Sequence, residues 1–260
     1  VQLTTLMPGL GAVWRALASR AGGEGEAKLE SLQAQGILPI LRRIVIVGER
    51  GPFSALVPIH CEGTWRLARE EGGERLLLNM WLDAFAPTAT SFGPRPVPDA
   101  GRVRVGRVFA EHVVTRPFAP PGERKVTRLD LPGVPPIPED AHPLEAAEAL
   151  VAERALARAG EHRFGMMHTD SNQHVNSLVY PRLFEDAVVR SLADRDDVRA
   201  PGALLARAVD LRYRKPFFSG DRASLASCVE PAEDGVLAIG AFTPAEGAGR
   251  PSCAVAMWLA

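Results

Sequence analysis

Along the 260 residues, apolar positions alternate with polar ones over most of the chain and recur at a helical period in only a few segments. In the first half, "ILRRIVIV", "FSALVPIHCEGTWRLA", "RLLLNMWLDAF" and "RVRVGRVFAEHVV" are alternating or β-branched and are separated by Gly-rich turns, which predicts four strands. Ahead of them, "EAKLESLQAQG" predicts a helix stopped by Gly36. In the second half, a helix through "RLFEDAVVRSLAD" precedes strands "LLARAVDLRYR", "RASLASCVE", "GVLAIGAFT" and "SCAVAMWLA". Between the halves, residues 117–143 are dense in proline and nearly without apolar period, as in an extended connector. "PLEAAEALVAERALARAG" then predicts a helix with Pro143 at its start and Gly160 just past its end.

The two halves repeat one order, a helix followed by strands. Gly36 and the pair Pro52-Phe53 are spaced much like Gly202 and the pair Pro216-Phe217, which points to an old duplication. A helix followed by a strongly twisted antiparallel sheet is an α+β unit, and two such units can pair edge to edge. The expected organisation is an N-terminal domain over 1–118, a linker with a helix over 119–160 and a C-terminal domain over 161–260. The alternative is a single irregular α+β domain.

Composition narrows the class. Hydrophobic residues make up 46%, ordinary for a chain with a full core. A net charge of −1 supplies no general attraction to nucleic acid. Cys61, Cys228 and Cys253 are odd in number, far apart and set in apolar stretches, as core thiols of a reducing compartment are. No apolar run approaches the ~20 residues that span a bilayer. The opening "VQLTTLMPGLGAVW" lacks the basic start and cleavage site of a signal peptide, so a soluble cytoplasmic protein is expected.

One stretch has no packing purpose. "HTDSNQHVN" (168–176) gathers two histidines, an aspartate, two asparagines, a glutamine, a serine and a threonine around one valine. "HRFGMMH" before it predicts a strand, and from about Ser177 the period turns helical. Asn176 or Ser177 suits the N-cap, and Pro181 falls where a missing amide proton costs little. The run therefore sits in a strand-to-helix loop at a helix N-terminus, where free amides and the dipole favour negative charge. That suits thioester hydrolysis, in which water attacks a carbonyl and its oxygen gains charge. Asp170 could hold or deprotonate the water, Asn172 could orient it, and His174 could carry the proton. The competing view is that Asp, Asn and Ser before a helix are ordinary turn and cap residues.

"DSNQHVNSLVYPRLFED" resembles the signature loop and central helix of the acyl-acyl-carrier-protein thioesterases of plants and bacteria, whose second repeat carries D-x-N-x-H-V-N-N-x-x-Y. The resemblance implies two tandem hot-dog domains, each a helix wrapped by a twisted antiparallel β-sheet. It implies catalytic roles for Asp170, Asn172 and His174, and a substrate-binding helix start at Asn176, Ser177 and Tyr180. Ser177 replaces the second asparagine of the family's pair. After "LRYRK" the family has a glutamate and a cysteine, whereas this chain has Pro216 and Phe217, so the usual strand carboxylate is missing. Glu185, two turns into the helix among apolar neighbours, is the remaining candidate acid or base. The implied substrate is an acyl carrier protein or coenzyme A thioester, with no cofactor, in a monomer of two repeats or a homodimer.

Other chemistries fit poorly. His162, His168 and His174 recur every six residues, which matches no zinc-ligand spacing, and no metal is expected. There is no G-x-S-x-G elbow and no phosphate loop in a strand-turn-helix setting. Two alternatives stay open: a catalytically silent hot-dog module that binds acyl-pantetheine or a protein partner, and a hydroxyacyl-thioester dehydratase. The first half has no D-x-N-x-H, so it is expected to supply shape and part of the acyl pocket. "LRYRK" (Arg212, Arg214, Lys215) and Arg42-Arg43 are the candidate docking cations for an acidic carrier.

Overall fold

The computed structural model describes residues 3, 6, 10, 11, 13, 29–49, 59–70, 72, 74–87, 101–129, 151–194, 204–246 and 249–260. The chain divides into two compact units, one built on Thr5–Ile44 and Glu49–Leu144 and the other on Val45–Gly48 and Glu145–Ala260. No helix among the described residues is long and apolar enough to cross a membrane.

The first unit opens with helix α1 (Leu29–Ala34). It stops where the sequence placed the stop. Gly36 takes φ +68°, its amide donates to the Gln33 carbonyl, and the Ile37 amide reaches back to Leu32. That is a Schellman ending, with buried Ile37 as its hydrophobic clasp. Strands β1 (Leu38–Gly48), β2 (His60–Arg69), β3 (Leu76–Pro87) and β4 (Arg102–Thr115) follow. They lie in the order β2-β3-β4-β1, with β2-β3 and β3-β4 antiparallel. On β3, Leu76, Leu78, Met80, Leu82, Ala84 and Ala86 are all buried, the period of two that the sequence showed. The proposed strand start at 53–58, the pair Pro52-Phe53 and Gly202 lie outside the described residues.

The second unit holds β5 (Ala157–Arg163), helix α2 (Val179–Ala193), β6 (Ala206–Tyr213), β7 (Arg222–Ala232), β8 (Gly235–Pro244) and β9 (Cys253–Leu259). The strands are antiparallel in the order β6-β9-β8-β7-β5. Helix α2 packs on this sheet through Tyr180, Pro181, Phe184, Ala187, Val188 and Leu192, one helical stripe. The fit is close. A Cβ on Gly240 of β8 would stand 2.4 Å from the Phe184 ring and 2.6 Å from the Ala226 carbonyl oxygen. Phe184 is completely buried, so truncating it to Ala should cost roughly 3–5 kcal/mol.

Two expectations need correction here. The helix expected up to Gly160 has given way to β5 by Ala157, although Ala, Arg and Glu there are good helix formers. Pairing with β7 outweighs that propensity, and a register shift beside Gly160, at φ +146°, accommodates the residue. Strand β5 then ends at Arg163, so the "MMH" of "HRFGMMH" is a turn of 3₁₀ helix and not strand. Of the thiols, only Cys253 is buried, while Cys61 and Cys228 are half-buried. Burial pushes all three up from the ordinary thiol value, most of all Cys253.

Candidate functional site

The polar run is a tight hairpin. Beyond β5, the 3₁₀ turn Met166–His168 is tied by the Gly165 amide donating to His168 Nδ1 at 3.0 Å and by the Thr169 hydroxyl donating to the Met166 carbonyl at 2.9 Å. Thr169 then bridges Val175, and the Asn176 amide donates to the His168 carbonyl. Inside this frame the Asp170 amide donates to the His174 carbonyl at 2.9 Å and the Gln173 amide to the Asp170 carbonyl at 3.0 Å. Ser171, Asn172 and Gln173 are left at the tip, with Gln173 at φ +63°. A turn followed by one left-handed residue is the usual three-residue hairpin loop, and that last position normally takes glycine.

Asp170 closes the loop from within. Its Oδ1 accepts the Asn172 amide at 2.8 Å and the His174 amide at 3.2 Å. Its Oδ2 accepts no hydrogen bond among the described residues, and the side chain is exposed. Asn172, His174 and Asn176 are exposed as well. The aspartate thus has one oxygen committed to architecture and one open to a water or a substrate.

The hairpin's second arm rests on "PFF". The Val175 amide donates to the Phe217 carbonyl at 2.8 Å, and His174 bridges Phe218, with ring centroids 5.1 Å apart, edge to face. Phe217 is buried against Phe164 and Tyr180, at 5.1 and 6.4 Å between centroids. The positions where the resembling family has Glu and Cys are therefore an exposed proline and a buried aromatic, Phe217, whose carbonyl holds the loop.

At the helix start, Asn176 caps in its own way. Its Oδ1 accepts the Leu178 amide at 2.9 Å and its carbonyl accepts the Val179 amide at 3.0 Å. These two amides, expected to be free for an oxyanion, are occupied, and α2 begins at Val179 instead of Ser177. The donors left nearby include the Ser171 and Ser177 amides, which bond nothing among the described residues, the carboxamides of Asn172 and Asn176 and the imidazole of His174. Ser177 contributes its carbonyl, which accepts the Tyr213 hydroxyl at 3.0 Å.

Two expected site residues lie elsewhere. Tyr180 is 2% exposed and packed against Tyr213, Phe217 and Phe242. Burial raises the hydroxyls of both Tyr180 and Tyr213 above the ordinary phenol value. Tyr180 is a support of the loop and presents no surface to solvent. The Glu185 Oε1 accepts the Ala206 amide at 3.3 Å, at the opposite end of β6 from Tyr213, so its carboxylate serves the start of a strand. Sequence reasoning missed Tyr213, Phe217 and Phe218 as supports. The signal available was their aromatic density, but not their partners.

The three histidines do not act together. His162 and His168 have ring centroids 4.9 Å apart, whereas His174 is engaged with Phe218. His162 Nε2 is buried without a partner, and desolvation followed by the His168 charge lowers its affinity for a proton. Among the described residues no group of three His, Cys, Asp or Glu converges on a metal position. Next to the "PFF" segment, an open cavity of about 400 Å³ is floored by Phe217 and Ser252 and rimmed by charged side chains, Arg163 and Lys215 among them.

No protein-family model and no curated protein matches the sequence. Solved structures do match. A protein described as an oleoyl thioesterase from Lactobacillus plantarum superposes with a TM-score of 0.65 at 15% identity, over 100% of this chain and 88% of its own. A 12:0-ACP thioesterase from Umbellularia californica gives 0.61 at 14% identity, over 100% and 87%. An acyl-ACP thioesterase from Bacteroides thetaiotaomicron gives 0.55 at 14%, over 97% and 89%. The resemblance found in "DSNQHVNSLVY" thus holds at the level of fold, and this chain shares the hot-dog architecture of acyl thioesterases along its whole length.

Proposed function

We propose that this chain is an acyl thioester hydrolase, cleaving the thioester of an acyl carrier protein or coenzyme A to a free acid and a thiol. The observation that carries the reading is the hairpin 170–174, which presents an open aspartate oxygen, an asparagine and an imidazole together at the start of α2. Asp170 Oδ2 takes the proton of an attacking water while Asn172 holds that water or the substrate carbonyl. The oxygen–carbon bond forms, the carbonyl oxygen gains charge beside the side-chain donors of the loop, and the carbon–sulfur bond then breaks. His174 delivers the proton to the leaving sulfur. Neither Glu185 nor Tyr180 has a part in these steps.

On this reading residues 161–260 form the catalytic hot-dog domain. Residues 1–118 form a second one without its own active site, 119–160 connect them, and the protein works in the cytoplasm. The test is turnover of a panel of acyl thioesters, reading the free thiol. Asp170→Asn keeps an oxygen for the Asn172 and His174 amides but cannot act as a base. It should retain the wild-type melting temperature and lose about 10²–10⁴ in turnover. Wild-type turnover in that variant refutes the mechanism.

A silent binding module is the second reading, favoured by one observation. Pro216 and Phe217 occupy the place of a second carboxylate, and Phe217 is buried. Binding of acyl-pantetheine without thiol release from any substrate of the panel would establish it.

A further inference from the structure

We infer that the cavity beside Phe217 is a phosphate subsite, taking the phosphate group of the thiol carrier whose acyl thioester is cleaved at the hairpin. The cavity has a volume of about 400 Å³, and three of its lining residues are cations: Arg163 from the end of β5, Lys215 from the segment after β6, and Arg222 from the start of β7. Two carboxylates, Asp221 and Glu246, also line it.

Three cations against two carboxylates leave the lining net positive by one, and the cations differ in what they are bound to. Arg222 is committed to Glu161, at 2.6 Å, and that pair lowers Glu161 and raises Arg222. Asp221 is committed to its turn, with Oδ2 accepting the Phe218 amide at 2.8 Å. Arg163 and Lys215 have no side-chain hydrogen bond or ion pair among the described residues. Glu246 lies within electrostatic reach of Arg222, so the wall keeps two cations without a side-chain partner, of the two kinds best suited to phosphate, a forked guanidinium and a compact ammonium.

Position ties the cavity to the hairpin. Its wall runs along Lys215, Pro216 and Phe217, and the next residue, Phe218, bridges His174. At about 3.3 Å per extended residue, the rim lies ~10 Å of chain from the imidazole. A carrier anchored there by phosphate would approach the loop with its thiol end. The identity of the ligand rests on the thioesterase reading, whereas the anion site stands on the cavity itself.

Two measurements separate these claims. Inorganic phosphate titrated against the protein should bind, seen as broadening of its ³¹P resonance, and the double variant Arg163→Gln/Lys215→Gln should abolish the broadening. Absence of broadening with the wild type, or its persistence in the variant, overturns the site whether or not any thioester is cleaved. In turnover, the variant should raise KM at least tenfold for acyl-coenzyme A or acyl carrier protein and leave acyl-pantetheine, which has no phosphate, unchanged. A rise for acyl-coenzyme A that disappears with acyl-dephospho-coenzyme A assigns the subsite to the 3′-phosphate. A rise for the acyl carrier protein assigns it to the protein-borne phosphodiester. An equal change on all substrates, or none on any, refutes a carrier phosphate. Inertness of wild type toward every thioester removes the hydrolase reading and leaves the phosphate titration to decide the cavity.

Discussion

The first unit buries a small set of polar groups inside a sheet, and the second carries its densest polar run on a loop in water. In the first, Asn79 and Glu111 stand opposite each other on β3 and β4, 7% and 5% exposed. Arg42 of β1 lies 3.4 Å from Glu111 and 2.6 Å from Glu70. Beside Glu111, His112 is 5% exposed and faces the Leu78 carbonyl at 3.3 Å. In the hairpin, Asp170, Asn172, His174 and Asn176 are all exposed. Both regions contain an aspartate or glutamate, an asparagine and a histidine. What differs is access to water: the first set is enclosed, down to an Asn79 Oδ1 with no hydrogen-bond partner among the described residues, and the second is open to a ligand. Burial ties a polar side chain to stability, because an unpaired group there loses its water. Exposure at a tight turn releases one side of the group, as with Asp170 Oδ2.

The contrast is sharpest in acid. Burial depresses His112 to about 4 from the ordinary histidine value near 6.5. Between those values the unfolded chain binds a proton that the folded chain refuses, so stability is full above pH 6.5 and falls toward pH 4. At about 1.4 kcal/mol per unit, the loss from this residue is about 3 kcal/mol. His112→Gln keeps a donor for Leu78 and removes the titration. Urea unfolding at pH 7 and pH 4.5 should show a smaller acid loss in the variant than in wild type. His162, also lowered by desolvation, acts in the same direction in the second unit. An equal acid slope in wild type and His112→Gln would remove the buried histidine from the comparison.

Glu111→Gln tests the same contrast without pH. The carboxylate is 7% exposed, and neutralising it leaves Arg42 with Glu70 as its ion-pair partner. Losing one partner of a buried pair costs up to 3–5 kcal/mol, and the surviving bridge should hold the loss to about 2 kcal/mol. Turnover per folded molecule should be unchanged, the reverse of the pattern expected for Asp170→Asn. A large drop in turnover at full stability would place a functional site in the first unit.

The strands and α2 were legible because their apolar residues keep one period over eight or more positions, and Gly36 because its left-handed ending needs a residue without Cβ. The hairpin was legible as a dense polar loop before a helix. Its internal closure by Asp170 Oδ1 was not, although the Asp at a turn's first position is the residue type that does this. Strand β5 escaped because "ALARAG" has helical composition, and only its pairing with β7 makes it a strand. The destinations of Glu185, Tyr180 and Phe217 escaped for a related reason. The Ala206 amide for Glu185, the Phe217 ring for Tyr180 and the Val175 amide for Phe217 are partners 21 to 42 residues away, and no local period encodes such a meeting.

The smallest expected effect bears on how much of the hairpin is turn and how much is chemistry. Gln173 sits at φ +63°, a conformation that costs a side chain with a Cβ about 1 kcal/mol and costs glycine little. Gln173→Gly removes that cost but gives the unfolded chain more freedom, so the net gain should be small, about 0.5 kcal/mol. The direction is the informative part. A turn residue predicts a slightly higher urea midpoint with unchanged turnover, because the Asp170, Asn172 and His174 positions are held by the backbone bonds of the loop. Strain retained for function predicts the opposite pairing, a more stable protein that turns over more slowly. Gln173→Asn separates the side chain from the backbone, since asparagine accepts the left-handed conformation and keeps a carboxamide. Equal turnover in wild type, Gly and Asn variants would leave Gln173 as architecture. A tenfold loss in the Gly variant that Asn restores would add its carboxamide to the working groups of the loop.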